Sequence, residues 1–195
     1  MSFVVPWQSH YLADHGLRRL VHPPKKLFAA YLRQGMTVLD LGCGMGVFTL
    51  ALADLVGATG RVIAVDLQQK GLDLLARRAE RAALGDRIRV RGCTEKDLGL
   101  ADLAGEVDFA LAFWMVHETP DPGRFYGQVH SALRPGGRLM VAEPIFHVRR
   151  STWAAEVTAA QAAGFQTVAE PRVRFSRAAV LEAVPGKRLI CGGEP

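Results

Sequence analysis

Residues 38–46 read VLDLGCGMG, and this stretch decides the fold. An apolar run carries an acid, Asp40, and then glycines alternate at Gly42, Gly44 and Gly46. A helical pattern follows from Val47. Twenty residues past Gly46, a second apolar run, Val62 to Val65, ends in Asp66. The reading is a strand, a glycine turn, a helix and a second strand with an acid at its tip. Such a unit takes a nucleoside-bearing ligand across the ends of its strands.

Glycine reaches positive φ without strain and lets backbone approach a ligand closely. A carboxylate at the second strand tip accepts two hydroxyl hydrogen bonds and so suits a ribose diol. On spacing alone the ligand is NAD or S-adenosylmethionine. A dinucleotide fingerprint places its third glycine three residues after the second, where this chain has Val47. A pyrophosphate also gains nothing from Asp40 beside the turn, whereas a ligand with an ammonium and a sulfonium tolerates or uses it. The details favour S-adenosylmethionine.

The chain resembles the class I S-adenosylmethionine-dependent methyltransferases. The segments that carry the resemblance are VLDLGCGMG (38–46), VIAVDL (62–67), VDFALAFWMVHE (107–118) and LRPGGRLMVAEP (133–144). It extends over roughly residues 22–183 and is closest to the small-molecule branch with the ubiquinone/menaquinone and arsenite methyltransferases. The resemblance implies an α/β fold of three layers: a doubly wound, mostly parallel seven-stranded sheet of order 3-2-1-4-5-7-6. It implies that Asp40 and the turn Gly42, Cys43, Gly44 and Gly46 hold the methionine moiety. Asp66 holds the ribose hydroxyls, Leu67 packs on the adenine, and Phe113 lies beneath the methionine chain. S-adenosylhomocysteine is the implied product.

The chain departs from the family after the third strand. Gly92-Cys93-Thr94 stands where the family has Gly-Asp-Ala. Cys93 fills the acid's place and is a poor acceptor. The Thr94 backbone or the Glu95 side chain is then expected at the adenine amino group. The Asn/Asp-Pro-Pro-aromatic motif of nucleic-acid amino methyltransferases is absent after the fourth strand.

His117 and Glu118 follow that strand, where substrate is expected. Methyl transfer needs orientation and, for a hydroxyl or amine acceptor, a base. Histidine has the intrinsic pKa for that role. Glu143 and His147, around the end of the fifth strand, are expected in the same cleft.

Alternating strands and helices with short links mean a sheet covered on both faces. Strands are expected at 37–41, 62–65, 87–91, 107–112, 138–142, 166–170 and 175–183. Pro23-Pro24 opens a helix that Gly35 closes. Helices are expected from Val47 to Leu55, over 69–84, from Asp121 or Pro122 through Leu133, and over 152–163. Residues 1–34 read as a helical cap, 35–183 as the core and 184–195 as a tail, within one domain. Trp7, His10 and Tyr11 are candidates for a lid.

The chain has 195 residues and a formal net charge of +5. Its length suffices for one core. It has no apolar run of about 18 residues, hence no expected membrane span. MSFVVPWQSHYLADH lacks the marks of a signal peptide. Cysteines at 43, 93 and 191 form no paired spacing, which argues against disulfides and zinc and for a reducing cytoplasm. Arg77, Arg78, Arg81, Arg149 and Arg150 read as solvated faces. The leading function is methyl transfer to a small molecule. The alternatives are an RNA methyltransferase, a non-catalytic S-adenosylmethionine-binding protein and, more distantly, an NAD-dependent oxidoreductase. Specificity is expected from the N-terminal segment, the loop after Trp114, residues 144–152, or the second copy in a homodimer.

Overall fold

The computed structural model describes residues 17–185. The expectations for Trp7, His10, Tyr11, Cys191 and the tail beyond Pro185 lie outside them. Two short helices, α1 (Leu17–Val21) and α2 (Pro24–Phe28), lead into β1 (Thr37–Leu41) and α3 (Thr49–Val56). Then come β2 (Arg61–Asp66), α4 (Gln69–Arg81), β3 (Ile88–Gly92) and β4 (Val107–Phe113). The chain continues through α5 (Pro122–Ala132), β5 (Leu133–Pro144), α6 (Arg150–Ala162), β6 (Phe165–Ala169) and β7 (Ser176–Ala183).

The strands form one seven-stranded sheet of order β3-β2-β1-β4-β5-β7-β6, the order the resemblance implies. All pairs are parallel except those made by β7. Period-two alternation divides each central strand between two cores. Val38, Val62, Ala64, Phe109, Leu111, Met140 and Ala142 face one side with α3 and α4. Leu39, Leu41, Ile63, Val65, Ala110, Leu139 and Val141 face the other with α5. Full burial of each large side chain there contributes about 1.5–3 kcal/mol.

Most boundaries differ from the sequence reading by one or two residues, and four departures have a packing reason. The helix expected from Val47 begins at Thr49, because Val47 and Phe48 turn into the core first. The helix after Pro23 ends at Phe28, well before Gly35. Tyr31 leaves it to stack on Phe109, and Gly35, at φ +84°, turns the chain into β1. The 69–84 helix ends at Arg81, since Ala83 takes φ +54° and drops Leu84 inward. Leu133, expected on a helix, opens a long β5: it pairs with Val107, and Pro135-Gly136-Gly137 is absorbed as a register shift.

Candidate functional site

Strand order reverses at β1, which lies between β2 and β4. The carboxyl ends of these three strands therefore leave a crevice, the usual ligand position in such sheets. One cavity fills it. Asp40, Gly42, Cys43, Gly44, Asp66, Leu67, Cys93, Thr94, Phe113 and Glu118 line it. Segments distant in sequence thus converge on one space. Gly46 and His117 are not on its wall.

The glycine turn directs its amides inward. The N–H groups of Gly42 and Cys43 donate to the Val65 carbonyl at 2.9 and 3.2 Å. Gly44 N–H donates to Oδ2 of Asp66 at 2.8 Å, and Gly46 N–H to the Cys43 carbonyl at 2.9 Å. A phosphate would need such donors; here they are engaged. An added Cβ at Gly44 would meet no atom within 4 Å, so the turn leaves open space above it. At Gly71, α4 rests on the turn itself, where a Cβ would stand 3.1 Å from the Gly44 carbonyl oxygen.

Asp66 ends β2 with both oxygens oriented. Oδ2 accepts from Gly44 N–H, and Oδ1 accepts from Gln68 N–H at 2.8 Å. Each oxygen keeps a further lone pair for a hydroxyl. Leu67, next to it, is 42% exposed, a large apolar face turned to solvent at the crevice. Cys93 hangs its amide on the Asp66 carbonyl at 3.1 Å. Burial and the Asp66 charge push its thiol up to about 11, so it is neutral at physiological pH. Thr94 N–H donates to the Asp97 carbonyl at 2.9 Å, which leaves Glu95 as the side chain on the cavity wall nearby.

Asp40 is 3% exposed, and Thr49 Oγ1 donates to its Oδ2 at 2.6 Å. Burying a carboxylate needs such donors. Thr49→Val, which keeps the shape and removes the hydroxyl, is expected to lower stability by about 1–2 kcal/mol. A urea midpoint equal to wild type would contradict this.

Trp114 follows β4 at φ +60°, a left-handed conformation rare outside glycine. Its N–H donates to the Ala142 carbonyl at 2.7 Å and its indole N–H to Ser176 Oγ at 2.8 Å, which hold the strained residue. The guanidinium of Arg18, from α1, lies 4.7 Å from its ring and 5.5 Å from that of Phe113. Arg18 also lines the cavity. Neither the Arg18 contact nor the Trp114 conformation has a sequence signal.

His117 lies behind the cavity wall. Nδ1 hydrogen-bonds Oε2 of Glu143 and Nε2 is 2.8 Å from Nε2 of His147. Glu143 is wholly buried, and its Oε1 accepts from Val116 N–H at 2.8 Å. The sequence reading placed His117, Glu118, Glu143 and His147 in the cleft. The structure puts only Glu118 of this group on its wall and joins the other three behind it.

Glu156 on α6 was missed, although its spacing from Trp153 and Ala160 sets it on the inner side of the helix. It is 3% exposed, and neither carboxylate oxygen has a hydrogen-bond partner among the described residues. Burial, reinforced by Glu143 and opposed by His117, raises its pKa to about 7 from the ordinary 4.5. A carboxyl raised on folding favours the protonated folded state. Its stabilising effect is complete below about pH 4.5 and is lost as pH rises through about 7. That loss is expected to be about 2–3 kcal/mol. Urea unfolding on either side of this window should show it in wild type and not in Glu156→Gln; parallel curves for the two proteins would contradict it.

Known proteins match this architecture. A family model described as "Methyltransferase domain" matches residues 32–172. A ubiquinone biosynthesis O-methyltransferase of Caulobacter vibrioides is 35% identical over 109 residues, 56% of this chain and 41% of that one. An arsenite methyltransferase of Aquipseudomonas alcaligenes is 34% identical over 122 residues, 60% of this chain and 35% of that one. The chain spans less than half the length of these relatives. The crystal structure of a SAM dependent methyltransferase from Aquifex aeolicus superposes with a TM-score of 0.82 at 21% identity, over 93% of this chain and all of that one. The sheet is thus that of the S-adenosylmethionine-dependent methyltransferases, and the chain belongs to the methyltransferase domain family.

Proposed function

We propose that this chain transfers a methyl group from S-adenosylmethionine to a small-molecule acceptor. One observation carries the reading. The crevice offers a ligand the Asp40 carboxylate at a glycine turn whose amides are engaged, together with an oriented acid and an exposed leucine at the next strand tip. That set fits a cationic amino acid joined to a nucleoside and does not fit a pyrophosphate. Family membership and the names of the curated relatives support the same reading.

The chain's own residues have separable roles. Asp66 accepts the ribose hydroxyls, Leu67 covers one adenine face, and Glu95 replaces the missing acid at position 93. Asp40 and the turn Gly42, Cys43 and Gly44 hold the ammonium end, with Gly46 shaping the turn from outside the cavity. Phe113 and Trp114 keep water from the reacting end. Bound there, S-adenosylmethionine supplies an electrophilic methyl on a positively charged sulfur with a good leaving group. The protein's contribution is alignment and removal of the acceptor's proton. We assign that removal to Glu118, which lies on the cavity wall beyond β4.

The free thiols Cys43 and Cys93 fit a reducing compartment such as the cytoplasm. Among the described residues no helix is long and apolar enough to cross a membrane. The test is an acceptor screen with methyl-labelled S-adenosylmethionine against phenols, amines and thiols. Label transfer to at least one small acceptor is expected. Cofactor binding with label transferred only to RNA, or to nothing, would contradict the proposal.

A further inference from the structure

Behind the cavity runs a line of ionisable groups that holding the cofactor does not use. Glu118, on the wall, has Oε1 3.9 Å from Nε2 of His117, within ion-pair distance. That nitrogen is 2.8 Å from Nε2 of His147, an exposed residue. The line therefore leads from the cavity to the surface. Glu143 from β5 and Glu156 from α6, both buried, flank it.

The bonding fixes the protons. An ionised carboxylate only accepts, so Nδ1 of His117 carries hydrogen and donates to Glu143. Nε2 then accepts from His147 when the ring is neutral and donates to His147 when it is charged. The bond between the rings works in both directions, as a path for a proton requires.

We infer that Glu118, His117 and His147 conduct to solvent the proton that a hydroxyl or amine acceptor loses on methylation, with the buried Glu143 as the counter-charge beside His117. The inference rests on the methyl-transfer reading and narrows the acceptor to one bearing O–H or N–H at the reacting atom. The acceptor's lone pair forms the bond to the methyl carbon, and the carbon–sulfur pair leaves with sulfur as a neutral thioether. The acceptor's proton passes to the Glu118 carboxylate, then to Nε2 of His117, then to His147 and water. Nothing else is consumed. Burial opposes charge on His117, but the Glu143 bond and the charges of Glu143, Glu118 and Glu156 outweigh it and raise its pKa. Burial and the charge on His117 lower that of His147. The inner ring captures the proton and the outer ring releases it.

The test follows histidine ring nitrogens by NMR from about pH 5 to about pH 9, in the chain saturated with S-adenosylhomocysteine. His117 is expected to keep hydrogen on Nδ1 throughout, and His147→Gln to move its midpoint by about half a unit or more. An unmoved His117, with His147 titrating alone at its ordinary value, would overturn the relay. Failure of wild type to bind S-adenosylhomocysteine would instead overturn the methyl-transfer reading. In a second arm, with catechol as probe acceptor, His147→Gln is expected to slow turnover about tenfold in dilute buffer, with imidazole restoring it. A rate indifferent to both changes would also overturn the relay. If wild type binds the product but leaves catechol unmethylated, the ring titration alone decides.

Discussion

Asp66→Ala is expected to weaken S-adenosylhomocysteine binding about a hundredfold or more. Hydrogen bonds to a charged group contribute about 1.5–3 kcal/mol each, and two ribose hydroxyls would be lost together. The substitution also removes the acceptor of Gly44 N–H and Gln68 N–H, so the glycine turn and the start of α4 lose their common anchor. Asp66→Asn separates the two effects. An amide offers one acceptor oxygen, which can keep one backbone donor but not the charge, so an intermediate loss is expected. Calorimetric titration checks both. Affinity unchanged in Asp66→Ala would mean that the ribose lies elsewhere.

Gly46→Ala should be among the most destabilising single changes in the chain, by about 3–4 kcal/mol. Two independent costs add. Gly46 has φ +80°, where a side chain costs about 1–2 kcal/mol. Its Cβ would also stand 2.2 Å from Cδ1 of Leu75 and 3.3 Å from Oγ1 of Thr49. Leu75 is fully buried, and such overpacking costs about 1–3 kcal/mol. Gly44→Ala, also at positive φ but with open space around its Cβ, is expected to lose only the conformational part of stability while obstructing the cofactor. Urea unfolding with cofactor titration separates them: Gly46→Ala fails mainly in the first, Gly44→Ala mainly in the second. Equal stabilities for the two variants would contradict the packing argument.

These contrasts show why part of the molecule was legible in its sequence. Strand alternation is local, so β1, β2 and β4 and their two-sided burial could be read from runs such as Val38–Leu41 and Val107–Ala112. The glycine spacing and Asp66 are also local, because one turn and one strand tip carry them. Boundaries set by long-range packing were not legible. Nothing near Tyr31 says that it leaves its helix to stack on Phe109, and nothing near Leu133 says that it pairs with Val107. The acceptor side shows the same division. His117 and Glu118 were readable as polar residues beyond a strand. Which of the two faces the cavity depends on Glu143, 26 residues further on. The wholly buried Glu143 and the 3%-exposed Glu156 become meaningful only as a cluster around His117.

On this reading the crevice at the ends of β1 and β2 takes S-adenosylmethionine. Calorimetric titration of the wild-type chain with S-adenosylmethionine, S-adenosylhomocysteine and NAD tests it most directly. The inward-turned amides and the Asp40 carboxylate predict that the first two bind, in the micromolar range of about −8 kcal/mol, and that NAD gives no heat above dilution. Binding of NAD with no response to the other two would contradict the account.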